Sequence, residues 1–350
     1  MGKKNLSPDI VWRQKGDKIF FEYKGQEIYF IMPKDYNLSK TSPDLLKLAE
    51  WLMFSPWYPD MLENYHFTRN PDNNIGLAFS GGVDSTAVMM MLPKDTKIVY
   101  TERHGISDGV LNQDNAIRFV DKIKAFRCKT NFEIIRTFHG LQIGYSTALC
   151  MGVPLVLLAD YYNLGRIAYG KVFDDQYFPH GIFRDYTKDY ILRNELFDKG
   201  GVRLFFPTVG CSEVITTKIV DLGPYKNLAF SCLRGAKGKQ CNNCFKCFRK
   251  NVLRGKEAVL DRESYYAISK NPPKMCTSLM YALNKKKVVL PPVKKFSKLK
   301  LDLLEKYYPN AYDVYDAIER DWIENKLRSF DVNPMNKGDI TKLKKLDFRK

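Results

Sequence analysis

Residues 17–32 alternate apolar and polar positions around Lys24-Gly25, with Ile19, Phe20, Phe21 and Tyr23 before that pair and Ile28, Tyr29, Phe30 and Ile31 after it. This period-two pattern predicts a β-hairpin. Ser42-Pro43-Asp44 then predicts the start of a short helix over 43–54, carrying Leu45, Leu46, Leu48, Trp51 and Leu52. The polar cluster Asn70-Pro71-Asp72-Asn73-Asn74 predicts a turn and a domain boundary. From Ile75 the pattern switches between strand and helix. Strands are expected at 75–79, 97–101, 131–136, 166–170, 203–207 and 227–231, and helices near 84–92, 111–126, 145–164, 189–198 and 212–221. Pro154 interrupts the third of these helices, which is expected as two helices joined at Gly152. Such an order predicts an α/β fold, a doubly wound parallel sheet with helices on both faces. Beyond about residue 255 the strand signals fade, and 298–307 and 310–328 read as helices. The expected organisation is therefore an N-terminal hairpin and helix (1–73), a sheet domain (74–255) and a helical C-terminal extension (256–350).

One junction in that pattern carries chemistry. The apolar run Ile75 to Phe79 stops at Ser80-Gly81-Gly82 and gives way to Asp84-Ser85-Thr86, the polar start of a helix. Two glycines without Cβ atoms let main-chain N–H groups converge on an anion, and the helix start adds its unpaired N–H groups and positive dipole end. Ser80, Ser85 and Thr86 add hydroxyl donors, and Asp84 beside a phosphate calls for a cation between them, naturally Mg²⁺. No lysine-bearing Gly-x-x-x-x-Gly-Lys-[Ser/Thr] loop occurs. The bland alternative is a tight strand-to-helix turn in which Asp84 is only a cap.

The cysteines change the picture further along. Of eight in the chain, Cys232, Cys241, Cys244 and Cys247 fall in one segment with the spacing C-x8-C-x2-C-x2-C. Four thiolates so spaced can wrap one tetrahedral Zn²⁺ with no open position, which makes the expected role structural; an iron–sulfur cluster is the rival reading. Metal ligands rather than disulfides, with no apolar signal core after Met1 and no apolar run longer than Ala148 to Ala159, lead us to expect a cytoplasmic chain with no membrane span.

Charge adds a preference for anions. The 56 Lys+Arg exceed the 39 Asp+Glu by 17. Residues 251–350 hold 22 of the cations and 13 of the acids, a surplus of 9. The lysines between Lys285 and Lys300 could meet nucleic acid or a partner protein, although charge runs are most often solvated faces.

Ser-Gly-Gly-Val-Asp-Ser resembles the pyrophosphate loop of the PP-loop ATP pyrophosphatase superfamily, and the loop followed by C-x8-C-x2-C-x2-C is similar to the 7-cyano-7-deazaguanine synthase family. Further likenesses are Glu102-Arg103-His104, the segment Gly165 to Gly170, the run Asp174, Asp175, Tyr177, Pro179 and Arg184, and Phe206-Pro207-Thr208. The likeness spans about residues 74–255. Two departures stand out. Glu213 occupies the place of a family lysine that faces the phosphates, with Lys218 the next lysine on, and the family's Pro-Gly-Arg-Asn is absent near Gly140 to Tyr145.

The resemblance implies an adenine nucleotide alpha hydrolase-like fold and an ATP-dependent ligase. It implies that a carboxylate, 7-carboxy-7-deazaguanine in the family, attacks the α-phosphorus, that pyrophosphate leaves into the loop, and that an amine then expels AMP. On that basis Ser80, Gly81, Gly82, Ser85 and Thr86 would hold pyrophosphate, Asp84 Mg²⁺, Arg103 and His104 the acyl adenylate, and Lys171 and Arg184 substrate or phosphate charge. No ammonia-supplying segment is recognisable, so the nucleophile would arrive free or on a partner. Relatives with added terminal regions occur among anti-phage defence genes, where a protein amine could replace ammonia. A tRNA-modifying PP-loop enzyme and a non-catalytic nucleotide-binding subunit are the other readings.

Overall fold

The hairpin predicted at the amino terminus is the outer part of a much larger sheet. The computed structural model describes residues 7–106, 111–187, 192 and 194–350. After β1 (Arg13–Lys15), strands β2 (Lys18–Tyr23) and β3 (Gln26–Ile31) pair antiparallel, with Phe21 opposite Ile28. Lys24 and Gly25 both take positive φ, 50° and 77°, the twist that a two-residue hairpin turn requires. Ile19, Phe21, Tyr23, Ile28 and Phe30 are buried, so the period-two face is the packed one.

Helix α1 (Pro43–Phe54) follows, capped by the Ser42 hydroxyl. Asp44 in its first turn accepts N–H donors from Thr68 and Arg69, each at 2.6 Å, which ties the helix to the segment entering the main sheet. That sheet is built from β4 (Asn74–Phe79), β5 (Lys97–Arg103), β6 (Phe126–Thr130), β7 (Leu164–Tyr169) and β8 (Arg203–Phe205), separated by α2 (Val83–Met91), α3 (Asp114–Lys122), α4 (Val153–Leu157), α5 (Ala159–Tyr162), α6 (Phe173–Tyr177) and α7 (Glu195–Lys199). The full sheet has eight strands in the order β1-β2-β3-β6-β5-β4-β7-β8. From β6 to β8 every pairing is parallel, and the hairpin joins antiparallel where Phe30 meets Thr130. Strand β4 lies centrally. The chain steps outward from it to β5 and β6 on one side, then returns to β7 and β8 on the other, so the order reverses between β4 and β7.

Several expected elements moved for physical reasons. The strand expected at 131–136 is β6, five residues earlier, where Cys128 and Thr130 face inward and Arg127 turns out to Glu102 and Asp121. Residues 132–139 form a 3₁₀ helix, begun by the Thr130 hydroxyl accepting from the Phe132 N–H and burying Phe132 and Ile135 at a spacing of three. Pro154 stands in the first turn of α4, where its missing N–H costs nothing, so it starts a helix; 145–149 are not helical. The helix expected over 111–126 shrinks to α3. Of the helix expected over 189–198, residues 189–191 and 193 lie outside the described residues, and the later part is α7. No strand forms at 227–231; those residues cross above the end of β4 instead.

Helix α8 (Glu213–Leu222) packs on α2, and α4 packs on α1. The C-terminal part holds α9 (Phe245–Leu253), α10 (Arg262–Ile268), α11 (Cys276–Lys285), α12 (Ala317–Ser329) and α13 (Lys337–Leu343). Residues 302–305 form a 3₁₀ turn rather than the helix expected over 298–307, and the helix expected over 310–328 is a 3₁₀ turn at 309–312 followed by α12. The Tyr308 N–H donates to the Gly210 carbonyl at 2.8 Å, the Tyr315 hydroxyl accepts from the Phe206 N–H at 2.7 Å, and Glu319 receives Arg166 and Arg203 from β7 and β8. Tyr307, Tyr308 and Tyr312 are fully buried and belong to the same apolar core as the sheet. Among the described residues no helix is long and apolar enough to cross a membrane.

The close fit around the end of β4 is testable at Gly170, just past β7. A Cβ there would stand 2.6 Å from the Ser85 nitrogen and 2.9 Å from the Asp84 carbonyl carbon. Gly170→Ala is expected to displace the first turn of α2 and destabilise the fold by about 1–3 kcal/mol, read as a lower urea midpoint. An unchanged midpoint would mean that the two segments do not touch.

Candidate functional site

The turn after β4 lies at the carboxyl end of the sheet where the strand order reverses, the position at which open α/β sheets leave a crevice. Gly81 has φ 73°, and a Cβ would sit 3.0 Å from the Ala116 Cβ, so the residue must be small and left-handed. Gly82 is the N-cap of α2 and supplies no side-chain acceptor to its first turn. The Ser80 and Ser85 hydroxyls stand 2.9 Å apart, the Gly82 N–H donates to Ser80 Oγ at 3.3 Å, and the Val83 N–H donates to Ser231 Oγ at 3.4 Å. The Ser85 hydroxyl also donates to the Gly82 carbonyl at 3.1 Å, so the two hydroxyls close the turn on itself, while the N–H groups of Gly82 and Val83 are held only by long bonds. A cavity of 510 Å³ opens over it, walled by Ser80, Gly82, Asp84 and Ser85, by Tyr100, Thr101 and Arg103 of β5, and by Phe230 to Leu233 and Lys246.

Beneath Asp84 lies a buried group of charges. Its Oδ1 accepts from Thr216 Oγ1 at 2.6 Å and from Lys250 Nζ at 3.3 Å. Lys250 Nζ is also 3.3 Å from Glu213 Oε1, which takes Arg249 Nη2 at 2.7 Å. The side chains of Lys250 and Glu213 are 2% and 1% exposed. Two carboxylates therefore face two cations, and buried Asp174 adjoins them, its Oδ2 accepting from the Glu213 N–H at 3.0 Å. Burial works to raise the Asp84 carboxyl, but Lys250, the Thr216 hydroxyl and Arg249 outweigh it and hold the group below the ordinary aspartate value. For Glu213 burial prevails: its carboxyl is raised despite Arg249 and Lys250, with repulsion from Asp84 and Asp174 adding to the rise. Asp84 Oδ2 has no hydrogen bond among the described residues, which leaves a ligand atom for a divalent cation at the cavity wall.

The cysteine segment sits beside this wall. All four sulfurs, of Cys232, Cys241, Cys244 and Cys247, lie within 4.8 Å of one another, and Cys241 Sγ is 3.7 Å from Cys247 Sγ. A tetrahedral zinc with bonds of about 2.3 Å needs sulfurs about 3.8 Å apart, so the set can hold a metal ion such as zinc. The N–H groups of Arg234 and Cys241 both point to Cys232 Sγ at 3.4 Å, as they would to a thiolate ligand. Cys244 is the N-cap of α9 and Cys247 lies in its first turn, so a bound metal fixes the start of the helix that carries Arg249 and Lys250. Cys232 follows Ser231, the residue bonded to the N–H of Val83.

Residues 193–347 match the profile of a family described as being of unknown function (DUF6395). The matched stretch runs from before β8 through the cysteine segment to α13 and leaves out the turn at 80–86. No curated protein matches the chain.

The residues singled out from the sequence fall in several places. Ser80, Gly82, Asp84, Ser85 and Arg103 line the cavity, Arg103 with its guanidinium on Glu133. Gly81 shapes the turn from behind. Thr86 is buried, its hydroxyl donating to the Gly82 carbonyl at 2.7 Å, so it holds the turn rather than facing the cavity. His104 is turned to the N-terminal hairpin, its Nδ1 2.7 Å from the Tyr29 hydroxyl, and is not on the cavity wall. Lys171 follows Gly170 at the rim, where its carbonyl accepts from Thr208 Oγ1 at 2.8 Å. Arg184 is exposed and donates to the Tyr186 hydroxyl at 3.2 Å, also off the wall. Lys218 bonds the Asp331 carbonyl at 2.5 Å.

Sequence reasoning passed over Lys246, Arg249, Lys250 and Thr216. The signal for the first three was present: Arg249 and Lys250 follow Lys246 at spacings of three and four, which puts three cations along neighbouring faces of one helix. The target of Arg249 and Lys250, Glu213, was read only as a missing lysine. In the folded chain that glutamate is the anchor for cations arriving from another element.

Lys250→Met is expected to lower stability by about 3–5 kcal/mol, because it strands Glu213 and Asp84 without their shared cation. Pairing it with Glu213→Gln should restore part of the loss in chemical denaturation, and a single variant as stable as the parent would refute the buried network. Cys244→Ser should lose bound zinc by mass spectrometry and melt at a lower temperature, since a closed four-sulfur site contributes folding free energy. Retention of full stability without metal would show that the cysteines are not a structural site.

Proposed function

We propose that the chain is an ATP-dependent adenylating ligase of the kind seen in the 7-cyano-7-deazaguanine synthase family, acting on a carboxylic acid. The observation that carries this reading is the position of the Ser80-Gly81-Gly82 turn. It combines a left-handed glycine, an N-cap without a side-chain acceptor and N–H groups of Gly82 and Val83 held only by long bonds, at the reversal of a parallel sheet and under a 510 Å³ cavity.

In this reading the main-chain N–H groups of the turn and the hydroxyls of Ser80 and Ser85 bind the two phosphates that leave. Asp84 would hold Mg²⁺ through the oxygen not engaged by Thr216 and Lys250, and the cation would neutralise phosphate charge. Lys246, on the wall and without an acidic partner among the described residues, would supply positive charge to the phosphates. A carboxylate oxygen of the acid attacks the α-phosphorus, the bond to the bridging oxygen breaks, and pyrophosphate departs. An amine then attacks the acyl carbon and AMP leaves. Such chemistry depends on positioning and charge stabilisation. The four cysteines would hold Zn²⁺ as a structural ion.

The test is formation of radioactive AMP from α-³²P-ATP, with the chain supplied with 7-carboxy-7-deazaguanine and ammonia and, separately, with a panel of carboxylic acids. AMP is expected, dependent on the acid, and lost by at least about a hundredfold in Asp84→Asn, as befits removal of a metal-binding charge at the phosphates. Turnover unaffected by Asp84→Asn would remove the turn from the chemistry, and absence of AMP with every acid would defeat the ligase reading.

A further inference from the structure

A second cavity, of 280 Å³, lies behind the cysteine segment against α10 and the first turn of α9. It shares Leu111, Leu233 and Lys246 with the cavity over the turn, so the two are adjoining compartments with Lys246 on the wall between them. Its charges do not balance. Arg234, Lys246, Lys270 and Lys274 line it against one carboxylate, Glu263. Glu263 is already committed, accepting from Arg234 Nη1 at 2.7 Å and from the Phe245 N–H at 3.4 Å. Among the described residues the ammonium groups of Lys246 and Lys274 make no hydrogen bond or ion pair, and that of Lys270 stands 4.7 Å from the centre of the Tyr266 ring.

Three ammonium groups around so small a space repel one another, and an anion among them would relieve that repulsion. The first turn of α9, whose N-cap has no side-chain hydrogen bond, adds the positive end of a helix dipole. Phe245 and the exposed ring of Tyr266 supply aromatic surface on the same walls.

We propose that this second cavity binds an organic anion carrying a flat ring, with the ring against Phe245 and Tyr266 and the anionic group among Lys246, Lys270 and Lys274. Its volume lies at the lower end of the range for small-molecule pockets, roughly 300–1,000 Å³, and suits one substituted ring system better than a nucleic-acid strand. The further step, that this anion is the acid to be adenylated, rests on the ligase reading. A carboxylate at Lys246 would sit on the wall shared with the phosphate-binding turn.

The test uses full-length, zinc-loaded protein without nucleotide, titrated calorimetrically with indole-3-carboxylate and with the neutral indole-3-carboxamide. The carboxylate is expected to bind, and the carboxamide at least about tenfold more weakly, as for loss of one charge-assisted contact. Lys270→Met/Lys274→Met, both at exposed positions, should weaken carboxylate binding by about tenfold or more while inorganic pyrophosphate binding is unchanged; Lys246→Met gives a second variant for the carboxylate. Carboxylate binding that is absent from the parent protein, or equal in parent and double variant, overturns the proposal. It is likewise overturned if a short uridine RNA depends on Lys270 and Lys274 and the carboxylate does not. Expected carboxylate binding in a protein that never forms AMP would leave the anion site standing and remove only the ligase reading.

Discussion

The ammonium of Lys250 is shared between carboxylates from two other helices, Asp84 of α2 and Glu213 of α8, with almost no access to solvent. Burying such groups carries a desolvation cost that their attraction rarely exceeds by much, so the network gives register more than net stability. It is also incompletely satisfied: Glu213 Oε2 and Arg249 Nε are buried without a hydrogen bond. Helix α9 is also packed by Phe248 and Val252, which are buried in the main core. The cysteines stand at the first turn of α9 and the charges at its later half, so the cavity-facing side of the molecule has two anchors of different chemistry.

The two anchors also connect parts of the chain that are remote in sequence. Lys250 and Asp84 are 166 residues apart. Segment 230–233 crosses over the turn after β4, contributes Ser231 to the first N–H of α2, and then supplies the first cysteine. The sulfur cluster and the turn are thereby joined at two places, the main chain at Ser231 and helix α9 through Lys250.

Much of the sheet was legible because apolar runs and turn residues coincide in β4, β5 and β7. Strand β6 was not, since only Cys128 and Thr130 are buried and the residues on either side of Cys128, Arg127 and Lys129, are charged, while the more apolar Ile134-Ile135 lies in a 3₁₀ turn. The turn at 80–86 and the cysteine spacing could be read directly, because both depend on local residue type. The buried cations could not be placed, because a lysine at position 250 looks the same in sequence whether it faces water or a glutamate. Arg184 and His104 show the converse: a resemblance picked them out, but their neighbours, Tyr186 and Tyr29, keep them off the cavity wall.

The ends of the sheet bear on how copies of this protein can meet. Each outermost strand, β1 and β8, is only three residues long, and β1 reads Arg13-Gln14-Lys15. Short, charged margins offer a poor template for a foreign strand. Continuous ribbons made by adding molecule to molecule along the hydrogen-bonding direction are therefore disfavoured, and self-association has to proceed through helical or loop surfaces.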